Sequence, residues 1–390
     1  MKTQNFRTKT FFIERENPRV DGKWNIAIDV GYSGVKLFSP NMVASFPSYA
    51  RRVTREPQFA GSMPSEAIIY KDLDTEEIWI VGEIAQNTIE TGDTSDSETS
   101  LYGRERYGNA MFKVISQCGM GIGMLENTHG KPQNDEIILQ TGLPERYMND
   151  YRDLTDALSG RHHFALKVGT KEWKNFDFTI ETSNIFVMSQ PKGTLFSVCV
   201  DKNGVPVKNA PKLSSSIMVF DSGFGTLDLF PIIGGIVNNG ETYSDLGMKR
   251  ILQETSKSIY ENYGVEVPVP MMQRYLETGN IRYVNKKERI SKEYPIENLL
   301  TAACFKVCNE AISRMESAFN MQDFDYLIFT GGTCSAWLNK LEGMFSGYST
   351  LHIIHGNQND DLPFIFSNVR GYYLYRHNEL LKEKRKSEQK

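Results

Sequence analysis

Ile217-Met218-Val219-Phe220-Asp221-Ser222-Gly223-Phe224-Gly225-Thr226-Leu227-Asp228-Leu229-Phe230 is the stretch whose reading decides the fold. Four apolar residues lead to a carboxylate, two glycines mark a tight turn, and an alternating run leaves it. That pattern predicts strand, turn, strand. Glycine tolerates positive φ and lets a bulky anion come close to the backbone amides. Turn amides aimed into one concavity make an anion nest. A carboxylate beside a phosphate is repelled unless a divalent cation or a water lies between them. The stretch therefore points to metal–phosphate chemistry.

The same pattern stands earlier in the chain. Ile26-Ala27-Ile28-Asp29-Val30-Gly31-Tyr32-Ser33-Gly34-Val35-Lys36-Leu37-Phe38 aligns onto it without a gap, Asp29 on Asp221, Gly31 on Gly223, Tyr32 on Phe224 and Phe38 on Phe230. The two aspartates are 192 positions apart (221 minus 29). Lys36 stands where the second copy has Asp228. Two copies at that distance predict two halves of similar core, each offering one hairpin to a shared cleft.

Length and composition set the outer bounds. A chain of 390 residues is expected to form two or three domains, and 40% hydrophobic with 24% charged residues is ordinary for a soluble globular protein. A net charge of -4 argues against a broad nucleic-acid surface. The basic run Lys382-Glu383-Lys384-Arg385-Lys386 reads as a solvated tail. The five cysteines form no CxxC, and Cys304 and Cys308, four apart in a helical pattern, read as buried thiols. No stretch reaches the ~18 apolar residues of a membrane span. The first 22 residues lack a signal-peptide core. The expectation is a cytoplasmic protein without membrane contact.

Strands alternating with helices favour the α/β class. Residues 1–23 read as an N-terminal arm, either disordered or docked as a strand through Phe11-Phe12-Ile13. The expected division is domain I at 24–192 plus 357–390, with the first hairpin, and domain II at 193–356, with the second. Residues 91–100 and the segment from Arg51 to Pro64 read as loops. Gly119-Met120-Gly121-Ile122-Gly123 follows no strand and opens no helix, so it reads as helix termination rather than a nucleotide loop. Ser189-Gln190-Pro191-Lys192-Gly193 reads as the end of a strand, with the next element starting at Thr194. Gly234-Gly235 falls in an apolar strand region, and Ser244 or Asp245 is expected to cap a helix over Leu246–Tyr263. A second long helix is expected at Leu299–Phe319. Asp325 to Trp337 then reads as a buried strand, the glycine pair Gly331-Gly332 and a helix start.

Two D-x-G hairpins followed by a strand–Gly-Gly–helix element resemble the phosphate 1, phosphate 2 and adenosine motifs of the actin / Hsp70 / sugar-kinase superfamily. Within it the chain most resembles the ParM-like bacterial actins that segregate plasmids. That narrower likeness rests on Leu139-Gln140-Thr141-Gly142-Leu143-Pro144-Glu145-Arg146-Tyr147, Val187-Met188-Ser189-Gln190-Pro191-Lys192-Gly193 and Phe366-Ser367-Asn368-Val369-Arg370-Gly371-Tyr372-Tyr373, and the whole resemblance covers roughly residues 24–377.

The resemblance implies an actin-like fold of two related domains, each with a mixed sheet flanked by helices, and an ATPase that polymerises. ATP, with GTP as the alternative, and Mg2+ are the implied cofactors. The hairpins Gly31-Tyr32-Ser33-Gly34 and Gly223-Phe224-Gly225-Thr226 would cradle phosphates, with Lys36 as a point charge. Asp29 and Asp221 would act on Mg2+ through waters, which that ion keeps. Gln190 stands where ParM-like proteins commonly carry Glu. It can position water but cannot take its proton, which leaves Asp221 as the nearest base. Gly331, Gly332 and Thr333 would pass the adenosine, and Lys249, Arg250 and Glu254 the ribose or base. Asp228 reads as a satisfied hairpin carboxylate rather than a ligand. The implied partners are further copies of the chain and a small DNA-binding adaptor that ties the filament to plasmid DNA, with no direct nucleic-acid contact. A sugar-kinase-type phosphotransferase is the alternative, but no carboxylate base faces a substrate pocket in this reading. A chaperone switch would need a large domain after the nucleotide fold, and only about a dozen residues follow Arg376.

Overall fold

The structure is a computed structural model and describes residues 2–89, 104–212, 214–285 and 287–389. The expected loop at 91–100 lies outside the described residues. The strands of the first half begin with β1 (Phe11–Glu14), β2 (Lys23–Val30), β3 (Gly34–Ser39), β4 (Met42–Pro47), β5 (Ala50–Val53), β6 (Ile68–Asp72) and β7 (Ile78–Val81). After helices α1 (Glu83–Gln86) and α2 (Ala110–Ile122) come β8 (Glu136–Leu143), α3 (Tyr151–Leu158), β9 (Gly160–Val168), β10 (Lys174–Ile180) and β11 (Ile185–Ser189). One sheet runs β1-β4-β3-β2-β8-β11 and the other β10-β9-β6-β7-β5.

Helix α4 (Gln190–Cys199) leads to the second half, which contains β12 (Ile217–Ser222), β13 (Leu227–Ile233), β14 (Ile236–Val237) and β15 (Glu241–Tyr243). Helices α5 (Met248–Tyr263) and α6 (Val269–Thr278), the hairpin β16 (Asn280–Asn285) and β17 (Ile290–Pro295), and α7 (Glu297–Ala318) follow. Then come β18 (Tyr326–Thr330), α8 (Cys334–Phe345), β19 (His352–His355) and α9 (Ser367–Glu388). Its main sheet is β14-β13-β12-β18-β19, with β15 beside β13.

The internal repeat holds down to the residue. In β2–β3, Asp29 faces Lys36 across the antiparallel ladder; in β12–β13, Asp221 faces Asp228. Gly31 N donates to Gly34 O at 3.2 Å, and Gly223 N to Thr226 O at 2.9 Å. Each hairpin's first strand has a parallel neighbour on its other side, β8 for β2 and β18 for β12. Both sheets are thus built on one plan.

Strand alternation explains where the acids point. In β2, Trp24, Ile26, Ile28 and Val30 enter one core with α2, while Ala27 enters another with Val369, Tyr372 and Tyr373 of α9. Asp29 shares the Ala27 face by the two-residue period. In β12, Ile217 and Val219 pack with Leu195 and Val198 of α4, and Asp221 shares their face. Helices α4 and α9 lie against each other so closely that a Cβ at Gly371 would overlap the Gly193 carbonyl. Both carboxylates therefore project toward one central helix pair.

Several local expectations are corrected. Helix α4 starts at Gln190, not Thr194, because proline is tolerated in a first helical turn. Helix α5 starts at Met248 after Gly247, and Asp245 binds Arg314 instead of capping it. Gly234 and Gly235 both have positive φ and form the β13–β14 turn. Ala50–Val53 is a strand within the expected loop. Helix α2 runs through Gly119 and Gly121 to end at Ile122 with Gly123 as its C-cap. Cβ atoms at those two glycines would press on Ile28 and on Leu166. The arm is a docked strand, β1 pairing with β4. Cys118, Cys304, Cys308 and Cys334 are buried thiols, and Cys199 is half-buried. No helix among the described residues is long and apolar enough to cross a membrane.

Candidate functional site

A cavity of about 320 Å3 lies between the two hairpins, and Asp29, Lys36, Gln190 and Asp221 all line it. Gly31, Tyr32, Ser33 and Gly34 of the first turn and Gly223, Phe224, Gly225 and Thr226 of the second form facing parts of its wall, with Gly331, Gly332 and Thr333 beside them. The two turns nearly touch: a Cβ at Gly225 would lie 2.7 Å from Cδ2 of Tyr32.

Asp29 is held from two sides. Lys36 Nζ donates to its Oδ2 at 3.1 Å, and Gln190 Nε2 to its Oδ1 at 3.3 Å. The lysine comes from the facing strand position, the glutamine from the first residue of α4. Asp221 is buried, and Asn368 Nδ2 donates to its Oδ2 at 2.7 Å. Thr194 Oγ1 donates to Asn368 Oδ1 and lies 3.2 Å from Thr330 Oγ1, tying α4, α9 and β18 together under the acid. Burial pushes the Asp221 carboxyl up to about 7; the Asn368 amide opposes that rise, and the charges of Asp228 and Asp29 add to it. Asp228 is satisfied by hydroxyls, Thr226 Oγ1 at 2.9 Å and Thr242 Oγ1 at 2.6 Å. Burial raises its carboxyl to about 6 against those two donors.

The third element closes the wall from the second half. Gly331 has φ +89°, and a Cβ there would lie 2.5 Å from Asp221 Oδ1 and overlap the Ser222 carbonyl. Only glycine lets β18 turn so close to the acid. Thr333 Oγ1 donates to Gly223 O at 2.6 Å and its amide to Ser222 O at 3.0 Å, which locks the second turn. Helix α5 is anchored to the same turn, Met248 N donating to Gly223 O and Lys249 N to Phe224 O. Met248 lines the cavity; Lys249, Arg250 and Glu254 follow it on α5 outside the lining. Glu254 pairs with Arg250 and with Lys306 of α7.

Some lining residues were not singled out from sequence. Arg106 Nη2 donates to Val30 O at 2.6 Å, and its guanidinium lies 4.8 Å from the Tyr32 ring centroid. Nothing in its local sequence marks it. Asn368 sits in the quoted Asn-Val-Arg-Gly-Tyr stretch, where its polar side chain at a helix start was the available signal.

The donors fit the implied groups. Two carboxylates on one cavity offer hard oxygen for Mg2+, which takes few protein ligands. No cluster of three or more His, Cys, Asp or Glu able to hold a metal by itself occurs among the described residues. At Gly31 a Cβ would meet Lys36 Nζ at 2.7 Å, so the lysine lies directly over the turn.

Fold and site define the class: two related α/β halves around a cleft, the actin-like fold. Residues 27–193 match the family model described as the N-terminal domain of actin-like proteins. The architecture is that of the ParM-like bacterial actins. The pCBH ParM non-polymerisable quadruple mutant is similar, with 19% identity, a TM-score of 0.68, and 91% of this chain and 99% of that chain covered. A 15-stranded ParM filament from Clostridium botulinum aligns with 19% identity and a TM-score of 0.64, over 90% of this chain and 98% of that one. The archaeal actin homologue Ta0583 in complex with ADP aligns with 13% identity and a TM-score of 0.56, over 91% and 99%. No curated protein matches the chain significantly in sequence.

Proposed function

We propose that this chain is an actin-like ATPase that binds Mg-ATP between its halves, polymerises, and uses hydrolysis to time disassembly. One observation carries the reading: two hairpins of identical register present Asp29 and Asp221 to a single cavity. The ADP complex of Ta0583 and the ParM filament support nucleotide and self-association as the ligands.

In this proposal the turn residues 31–34 and 223–226 cradle the phosphates, and Lys36 supplies positive charge. Asp29 and Asp221 would hold Mg2+ through waters, and the charge chemistry it would supply is neutralisation of phosphate. Gly331, Gly332 and Thr333 flank the adenosine; Lys249, Arg250 and Glu254 lie outside the cavity lining and could meet the ribose or base only by leaving their present positions on α5. Gln190 orients the attacking water from the start of α4, and Asp221 accepts its proton. A carboxyl raised toward neutrality is suited to that task. GTP is the alternative nucleotide. Cytoplasmic plasmid segregation through a small DNA-binding adaptor is the proposed cellular role.

Light scattering and negative-stain microscopy of the purified chain with Mg-ATP, Mg-GTP or Mg-ADP test it. Scattering must rise with a triphosphate and decay as phosphate is released. No rise at tens of micromolar protein removes the filament. Asp221→Ala should abolish phosphate release and leave polymers standing.

A further inference from the structure

Residues 2–9 cross from one half of the molecule to the other. On the first half, β1 is added to the edge of β4, and Thr10 N donates to Glu83 Oε1 of α1 at 2.6 Å. On the second half, the segment meets the C-terminal end of α6, where the last carbonyls lack intrahelical donors. Thr3 Oγ1 donates to Leu276 O at 2.8 Å, Gln4 Nε2 to Glu277 O at 3.1 Å, and the Thr8 amide to Gln273 Oε1 at 3.0 Å. Arg7 spans the gap itself, with Nη2 3.1 Å from Glu83 on α1 and Nη1 3.4 Å from Glu277 on α6.

The same segment walls the cavity. Gln4 to Lys9 line it together with both hairpins, and Thr8 Cγ2 would lie 3.2 Å from a Cβ at Gly34. Phe6 is buried in the apolar cluster that joins Tyr49, Ile80 and Ala85 of the first half to Met271, Met272 and Leu276 of the second. The crossing thus depends on one buried ring, the buried Thr3–Leu276 bond and a few partly buried polar bonds, a set small enough to open locally without unfolding either half.

We propose that residues 3–9 form a strap whose release from α6 lets the halves part and so sets the rate of nucleotide exchange. The proposal rests on the nucleotide reading of the cleft. Opening the cleft carries Glu277 away from Glu83, and Arg7 can follow only one of them. Bound nucleotide is then retained by a latch made of the chain's own N-terminal segment.

The test is stopped-flow release of a fluorescent ADP analogue, chased with excess ATP, from the full chain and from Arg7→Ala, Phe6→Ala and Gln273→Ala. The last removes the acceptor of Thr8 from the helix side and leaves the strap intact. Release should accelerate about 5-fold or more in each, the consequence of losing a bridge of ordinary strength. Thermal melts identify a variant that fails to fold, and Gln273→Ala, untouched in the strap, then decides. A strap that only stabilises the fold would lower the melting temperature and leave release unchanged, which overturns the proposal. Binding of the analogue with wild-type release in all three variants overturns the strap alone. No binding by the wild-type chain overturns strap and nucleotide reading together.

Discussion

The Asn368 side-chain amide donates to Oδ2 of Asp221 at 2.7 Å, across the junction between α9 and the end of β12. Asp221 is buried, so this amide counters part of the penalty on its charge. In Asn368→Ala that support is gone and the carboxyl rises further above about 7. The charged form is the one that accepts the proton in the proposed reaction. The rise of phosphate release with pH should therefore move to higher pH. Activity near neutrality should fall about tenfold for each pH unit the profile moves, and be largely regained toward about pH 9. A loss equal at every pH would mean that the amide acts on geometry alone.

Gln190 joins the same site from α4, its Nε2 3.3 Å from Asp29 Oδ1. If it orients water, Gln190→Ala should lower turnover by about 100-fold, the usual cost of one preorganised hydrogen-bonding group at a reacting centre. Its effect on ADP affinity should be small, because it touches no phosphate turn. Single-turnover hydrolysis and ADP titration separate the two. Equal losses in both would assign Gln190 to binding.

How much of this was legible depends on how local the cause is. The two hairpins were readable because alternation and the D-x-G turn are set within about a dozen residues, and register followed from the pattern alone. Asp29, Lys36 and Asp221 were legible for that reason. The start of α4 was not: Pro191 and Gly193 look like a stop, yet proline suits a first turn and Gly193 is there so that α9 can pass close. Asp245 looked like a cap, and Arg314, 69 positions away, claims it. Arg106 and the strap bonds of Arg7 depend on where distant elements land, and no local pattern encodes that. The hairpin β16–β17 was missed because its exposed strands carry little apolar alternation.

A further prediction concerns pH and the arm's other anchor. Arg15 donates to Asp360 through Nη1 and Nη2, at 2.8 and 2.7 Å, and Arg370 Nε adds a third bond at 3.0 Å. Burial alone would raise the Asp360 carboxyl, but the Arg15 bonds and the charge of Arg370 outweigh it and hold it below its ordinary value. A carboxyl lowered on folding contributes stability above its unfolded pKa of about 3.9, and that contribution is lost as pH falls through the folded value. Asp360→Asn should cost about 2 kcal/mol at neutral pH. Denaturant titrations should show the gap to wild type closing between about pH 5 and pH 2. A gap that persists at the acid end would place the cost in packing.

Two glycines give opposite predictions from the same substitution. At Gly371 an added Cβ would overlap the Gly193 carbonyl, where α9 crosses α4 beneath both acids. Backbone cannot yield there as a flexible side chain would, so Gly371→Ala should destabilise by about 2–3 kcal/mol. At Gly343, inside α8, an added Cβ meets nothing within 4 Å. Alanine there lowers only the entropy cost of a helical residue and should stabilise by about 1 kcal/mol. Denaturation midpoints of the two variants should thus move apart from wild type in opposite directions. The Gly371 variant should also hydrolyse nucleotide more slowly, because the helix pair it spreads carries both Gln190 and Asn368. If Gly371→Ala leaves the midpoint in place, the close contact of Gly371 with the Gly193 carbonyl is not what holds α4 and α9 together.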